Sequence, residues 1–214
     1  MYLPKDESPK FDPAPAGTHP ARCVRFVDLG TQEQTYLGET KMKRMVTLSF
    51  ELPNELRDDG KPFLIGKRYA FSMHEKSTLR KHLEAWRGKK FDDADLGHGG
   101  FDIQNIIGKA CVLTVVHSER DGNTYANIDG IGAAMRGLEY PDQINPSVYI
   151  ALVEDRFDME AYDGLTDRMK DQIAKSPEFS DIVGSPANSS YSDESAPQSQ
   201  DDQGVDDMDD EIPF

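Results

Sequence analysis

The chain has 214 residues, 37% of them hydrophobic, and a formal net charge of −15, which fits one moderate domain whose core is diluted by polar flanks. No run approaches the roughly 18 apolar residues of a membrane span. Two distant cysteines, Cys23 and Cys111, with no CxxC motif and no secretory leader ahead of them, point to a reduced cytoplasmic protein without membrane attachment.

The charge is unevenly spread. Residues 185–214 hold nine acids and no Lys or Arg, so the other 184 residues carry only −6. The window Lys41 to Lys90 holds thirteen Lys or Arg against six Asp or Glu, a local balance of +7. This asymmetry divides the chain into a basic working part and an acidic tail.

Residues 1–20, with Pro4, Pro9, Pro13, Pro15 and Pro20, read as a Pro-rich N-terminal arm. Ala21 to Leu29 is β-prone and ended by Gly30, a first strand, and Thr31 to Thr40 reads as a flexible polar loop. Val46, Leu48, Phe50 and Leu52 alternate with Thr47, Ser49 and Glu51, the period of a strand with one buried face, ended by Pro53. After turn residues Arg57 to Pro62, the alternation resumes through Phe63, Ile65, Tyr69, Phe71 and Met73, with Gly66 a bulge. Ser72 and Glu75 suggest a capping box for a helix carrying Leu79, Leu83 and Trp86 on one face and closed by Gly88. Phe101 to Ile107 predicts one helical turn, and Cys111 to Val116 a strand buried on both sides. The Arg120-Asp121-Gly122-Asn123 hairpin signal leads to a fifth strand, Tyr125 to Asp129. Leu165, Met169 and Ile173 predict a short amphipathic helix, capped by Thr166 or Asp163, that Ser176-Pro177 ends. From 185 onward, a segment of Ser, Asn, Gln, Pro and Asp is expected to be disordered.

The order of three strands, a helix and two strands matches the five-stranded oligonucleotide-binding (OB) barrel with a capping helix. The expected organisation is therefore an N-terminal arm over 1–20, an OB-fold single-stranded nucleic-acid-binding domain over 21–132, an extension with a short helix over 133–184, and a tail over 185–214. Such barrels bind single strands across strands two and three and the flanking loops, with cations for phosphates and aromatics for stacking. Candidates here are Tyr36, Lys41, Lys43, Arg44, Lys61, Lys67, Arg68, Tyr69 and Tyr125. The tyrosines are open between stacking platform and core, and the lysines between phosphate contacts and ordinary solvated charge. Phe26, Phe50, Phe71 and Trp86 belong to the apolar side of their patterns and read as core.

The last residues, Asp206-Asp207-Met208-Asp209-Asp210-Glu211-Ile212-Pro213-Phe214, put acids ahead of an apolar end that carries the terminal carboxylate. A ring beside a carboxylate suits an apolar pocket with a basic rim on a partner. This tip closely resembles that of bacterial single-stranded DNA-binding proteins, which recruit replication and repair enzymes through it. The resemblance implies that Asp209, Asp210, Glu211, Ile212, Pro213 and Phe214 form a partner-binding tip. Lys67-Arg68-Tyr69, His74-Glu75-Lys76-Ser77, Thr124-Tyr125-Ala126-Asn127 and Lys175-Ser176-Pro177-Glu178-Phe179 resemble single-stranded DNA-binding and uncharacterised proteins of tailed bacteriophages. A phage origin would place the protein in the cytoplasm of a bacterial host.

The expected role is a protein that coats single-stranded DNA without sequence preference during replication, recombination or repair. An acidic interaction protein, or a DNA mimic that binds host proteins but no DNA, is the alternative; strand annealing is a third reading that the sequence leaves open, as it does a homo-oligomer. Five scattered histidines have no metal-ligand spacing, and no phosphate loop or nucleophile motif appears, so neither a metal, a cofactor nor an enzyme is expected. Asp58-Asp59 and Asp92-Asp93 read as solvated loop acids.

Overall fold

The structure is a computed structural model that describes residues 12–97 and 100–184. The acidic tail, its tip and residues 1–11 of the Pro-rich arm lie outside the described residues. Among the described residues the fold is mainly β, with one sheet in the order β3-β2-β1-β4-β5 and β6 added to β1.

Strand β1 (Gly17–Tyr36) is the hub. Its first part, Gly17 to Arg22, pairs antiparallel with β4 (Ala110–Arg120), and from Arg22 to Tyr36 it pairs antiparallel with β2 (Glu39–Leu56). Where β4 leaves its edge, β6 (Val148–Ile150) takes over in parallel at Arg25, Phe26 and Val27. Strand β3 (Pro62–Ala70) borders β2, and β5 (Asn123–Ala133) borders β4.

Both β1 and β2 are much longer than their apolar patterns predict. Residues 31–36 pair with 39–44 through a hairpin turn at Leu37-Gly38, where both φ angles are positive (48° and 80°). That is the two-residue turn whose twist suits a hairpin. The expected flexible loop at Thr31 to Thr40 is therefore a paired β arm. Its side chains are polar on both faces, some exposed and some, such as Thr31 and Gln32, half-buried, which erased the hydrophobic alternation. Asp121-Gly122 repeats the geometry (51° and 75°) as expected and makes a second arm from β4 and β5.

Other differences have local causes. Gly17 to Pro20 already belong to β1, so the arm of prolines is shorter than predicted. Pro53 does not end β2; the register shifts between Leu52 and Leu56, an irregularity that accommodates a residue with no N–H. Gly66 sits in register opposite Ser49 and is no bulge. Helix α1 (Thr78–Arg87) is capped not by Ser72 but by Ser77, whose hydroxyl accepts from the Arg80 N–H (3.2 Å) and donates to the Ser72 carbonyl (2.6 Å). Gly88 closes it at φ 68° as predicted, and one further turn, α2 (Asp93–Leu96), follows. Strand β4 buries Cys111, Leu113 and Val115 but exposes Thr114 and Val116, so only one of its faces is covered.

Two cores lie on opposite faces of the sheet, because successive side chains of a strand alternate. On one side, Val46, Leu48, Phe50 and Leu52 of β2 meet Leu79, Leu83 and Trp86 of α1 and the buried residues of β4 and β5. The Trp86 indole N–H donates to the Ala110 carbonyl at 2.8 Å, so its one polar group is satisfied at the rim of this core. Against the other face, Val27, Leu29 and Met45 pack with Ile150, Leu152, Leu165, Ile173 and Ile182.

This second core is made by the chain after β5: β6, α3 (Met159–Asp163), α4 (Asp167–Ala174) and α5 (Pro177–Gly184). Helix α4 is the amphipathic helix expected around Leu165 to Ile173, with Thr166 at its N-cap. Ser176-Pro177 ends it and starts α5, a helix not expected from the sequence. Proline at the first helical position is permitted because its absent N–H would be unpaired there anyway. Polar stitches fasten the helices to β1. Thr31 gives its N–H (2.8 Å) and hydroxyl (2.5 Å) to the Glu178 carboxylate, and Gln32 Nε2 bridges the Leu29 (2.7 Å) and Gln172 (2.8 Å) carbonyls.

Candidate nucleic-acid interface

The residues nominated from sequence separate into three groups. The first group is presented to solvent on the two arms. Tyr36 is 54% exposed beside the β1–β2 turn, and Tyr125 is 48% exposed on β5, opposite Ser118. Lys41 and Lys43 are exposed on β2, opposite Gln34 and Gln32. Lys41 is ion-paired with Glu39 at 2.9 Å, a surface contact worth at most about 1 kcal/mol and easily exchanged for a phosphate. Lys61 is also exposed, but in the turn at the opposite end of β2 from the arm.

The second group has structural work. Tyr69 is 1% exposed; its hydroxyl meets His82 Nδ1 at 3.0 Å, and the two rings stand edge to face at 5.7 Å. It is a core residue and no stacking platform, because its parity on β3 matches Ile65 rather than the outward-facing residues. Arg44 forks onto Asp28, with Nη2 at 2.5 Å from Oδ2, and also reaches the Leu152 carbonyl at 3.3 Å. Hydrogen bonding to Asp28 raises its pKa further. Asp28 is buried and also accepts the Gly30 and Leu152 N–H groups (3.0 and 3.3 Å), so Arg44 serves as the counter-ion of a buried carboxylate. Lys67 Nζ donates to the Ile128 carbonyl at 2.8 Å, linking β3 to β5. Phe71, in contrast, was expected in the core and is 40% exposed, edge-on to Phe26 at 6.1 Å.

The third group lies on the face of β1–β3 away from α1. Cross-strand register sets Arg25, Ser49 and Gly66 side by side in one row and Val27, Thr47 and Arg68 in the next. Arg68, nominated from sequence, is half-buried here. Arg25 was not nominated. It is also half-buried, and burial lowers its pKa with no acid offsetting it. Its signal in the sequence was a cation at an outward position of a strand, hidden because a register irregularity between Cys23 and Arg25 shifts the alternation.

One end of this face is closed by the chain's own strap, residues 140–147. Glu51 is fully buried, and its carboxylate accepts the N–H groups of Ile144 (2.9 Å) and Asn145 (2.7 Å) and the Asn145 side-chain amide (2.6 Å). Arg22 holds the start of the strap through the Tyr140 (2.9 Å) and Pro141 (2.7 Å) carbonyls. The partner-binding tip nominated at Asp209 to Phe214 lies outside the described residues.

Among the described residues no helix is long and apolar enough to cross a membrane. The thiols of Cys23 and Cys111 are free, buried and unreactive: burial pushes Cys23 up to about 12 and raises Cys111 as well. No protein-family model and no curated protein matches this chain.

Proposed function

We propose that this protein binds single-stranded DNA through an OB barrel, coats it without sequence preference during phage replication, recombination or repair, and recruits partner enzymes through its C-terminal tip. Strand connectivity carries the reading. A long β1 shared between β2 and β4, a helix between β3 and β4, and an approach of β3 to β5 are the connections of the five-stranded OB barrel. The two hairpin arms then correspond to the loops that such barrels use on single strands, and they carry exposed Tyr36, Lys41, Lys43 and Tyr125.

One observation favours the alternative, an acidic interaction protein or DNA mimic. Of the thirteen cations between Lys41 and Lys90, at least six are ion-paired to acids, namely Lys41, Arg44, Arg57, Arg80, Arg87 and Lys89. Much of the local excess is thereby neutralised at short range. Fluorescence titration of a labelled oligonucleotide at two salt concentrations separates the readings. A single-strand binder shows affinity that falls with salt as counterions are released, whereas a mimic shows no binding at either concentration.

A further inference from the structure

We propose that the cleft between the outer face of β1–β3 and the strap is a nucleotide subsite, in which Arg25 grips a phosphodiester while Leu64 and Pro146 border the attached sugar and base. The proposal rests on the single-strand-binding reading and names where one nucleotide is held.

The cleft measures about 260 Å³ and is lined by Arg25, Ser49, Leu64, Gly66, Asn145 and Pro146, among others. A cavity of about 150 Å³ already takes a benzene, so the space suffices for part of a nucleotide. Its walls differ in chemistry. Arg25 and Ser49 supply donors on one row, while Leu64, 45% exposed, and Pro146 supply apolar surface.

Arg25 is out of the ordinary in its surroundings. Arg44, Arg80 and Arg87 each face a carboxylate within 2.5 to 2.9 Å. Arg25 is partly withdrawn from water, with no acid among the influences on it. A guanidinium in that position is destabilised until an anion arrives, and a phosphate matches its planar fork. Glu51, buried on the neighbouring strand β2, has both of its oxygens occupied by the strap.

Gly66 adds an independent indication. It is exposed, its φ is not positive, and a Cβ built there would meet nothing closer than Ser49 Oγ at 3.5 Å. The backbone would accept a larger residue, so the fold does not require the bare position; it leaves the cleft floor open for something to approach. The opposite wall is held in place. Glu51 fixes Ile144 and Asn145 and Arg22 fixes Tyr140 and Pro141, which lowers the ordering cost of binding.

The test titrates a labelled oligothymidylate with the full chain in three forms: unaltered, R25Q and G66L. R25Q removes the fork; G66L keeps every charge and fills the cleft. The subsite requires R25Q to bind at least about tenfold more weakly with a salt slope smaller by about one. It also requires G66L to bind several-fold more weakly at an unchanged melting temperature. Unaltered affinity in G66L overturns the subsite whatever R25Q does, and this holds even where R25Q fails to fold. Failure of the unaltered chain to bind at any salt concentration removes the single-strand reading itself, and the subsite with it.

Discussion

The Tyr69 hydroxyl lies 3.0 Å from His82 Nδ1, a contact that ties β3 to α1. Burial, seconded by the Lys67 charge, presses the His82 pKa from 6.5 down to about 4. The folded state therefore binds fewer protons than the unfolded one between those values, and stability falls as pH drops from about 6.5 to about 4. Because His82 keeps some contact with water, the loss should be on the order of 1–2 kcal/mol. Melting curves of the unaltered protein and H82Q across this range check it. The difference between them should change with pH below 6.5; parallel curves would show that His82 titrates normally in the fold.

Removing Arg44 leaves Asp28 buried without its cation. R44A should cost about 3 kcal/mol, the low end for breaking a buried pair because Arg44 is itself partly exposed. K43A, on the exposed arm, should change stability by less than about 0.5 kcal/mol. Urea denaturation of both variants measures this contrast. Equal stabilities would mean that Asp28 is satisfied by the Gly30 and Leu152 N–H groups alone.

Gly30 adopts φ 71°, and a Cβ there would collide with the side chain of Ser176. G30A should therefore loosen the C-terminal helices from β1, beyond the roughly 1–2 kcal/mol of left-handed backbone strain. Limited proteolysis should cut G30A between α4 and α5 faster than the unaltered protein. S176G in the same chain should recover part of the protection, since it removes the atoms that collide.

Stacking and core tyrosines should separate cleanly. Y36L and Y125L are expected to weaken oligonucleotide binding by about 1–3 kcal/mol for each base that no longer stacks, with melting temperature nearly unchanged. Y69L should do the opposite, lowering the melting temperature and sparing the affinity of the folded fraction. An intact affinity in both Y36L and Y125L would move the strand path off the arms.

The tail and the tip should act separately. Nine negative charges tethered to the domain compete with DNA for basic surface, so deleting residues 185–214 should tighten single-strand binding, most at low salt. Deleting Phe214 alone leaves that charge in place and should barely move DNA affinity, while abolishing capture of tip-dependent partners. Partner capture that survives the Phe214 deletion would reduce the tail to a competing polyanion.

The segments read correctly from sequence are those whose pattern has a local cause. Val46 to Leu52 bury alternate residues against α1, Asp121-Gly122 has the residues that a left-handed turn favours, and Leu79, Leu83 and Trp86 recur at helical spacing before Gly88. The β1–β2 arm was illegible because pairing beyond the core leaves both faces polar, so residues 31–36 lack any hydrophobic period. Helix α5 was hidden by Pro177, which reads as a stop and serves as a start.

From its own residues, the chain determined a mainly β domain with a helix after the third strand, a basic stretch and an acidic end, because period, turn chemistry and charge are properties of neighbours in sequence. Which cations are spoken for was decided only in three dimensions. Arg44 belongs to Asp28 across a strand pair and Lys67 to a carbonyl on β5. Arg25 is left facing a cleft whose other wall comes from residues more than a hundred positions later. Such pairings follow from register and from the return of residues 134–184 onto β1, and no local pattern encodes the meeting of groups so far apart in the chain.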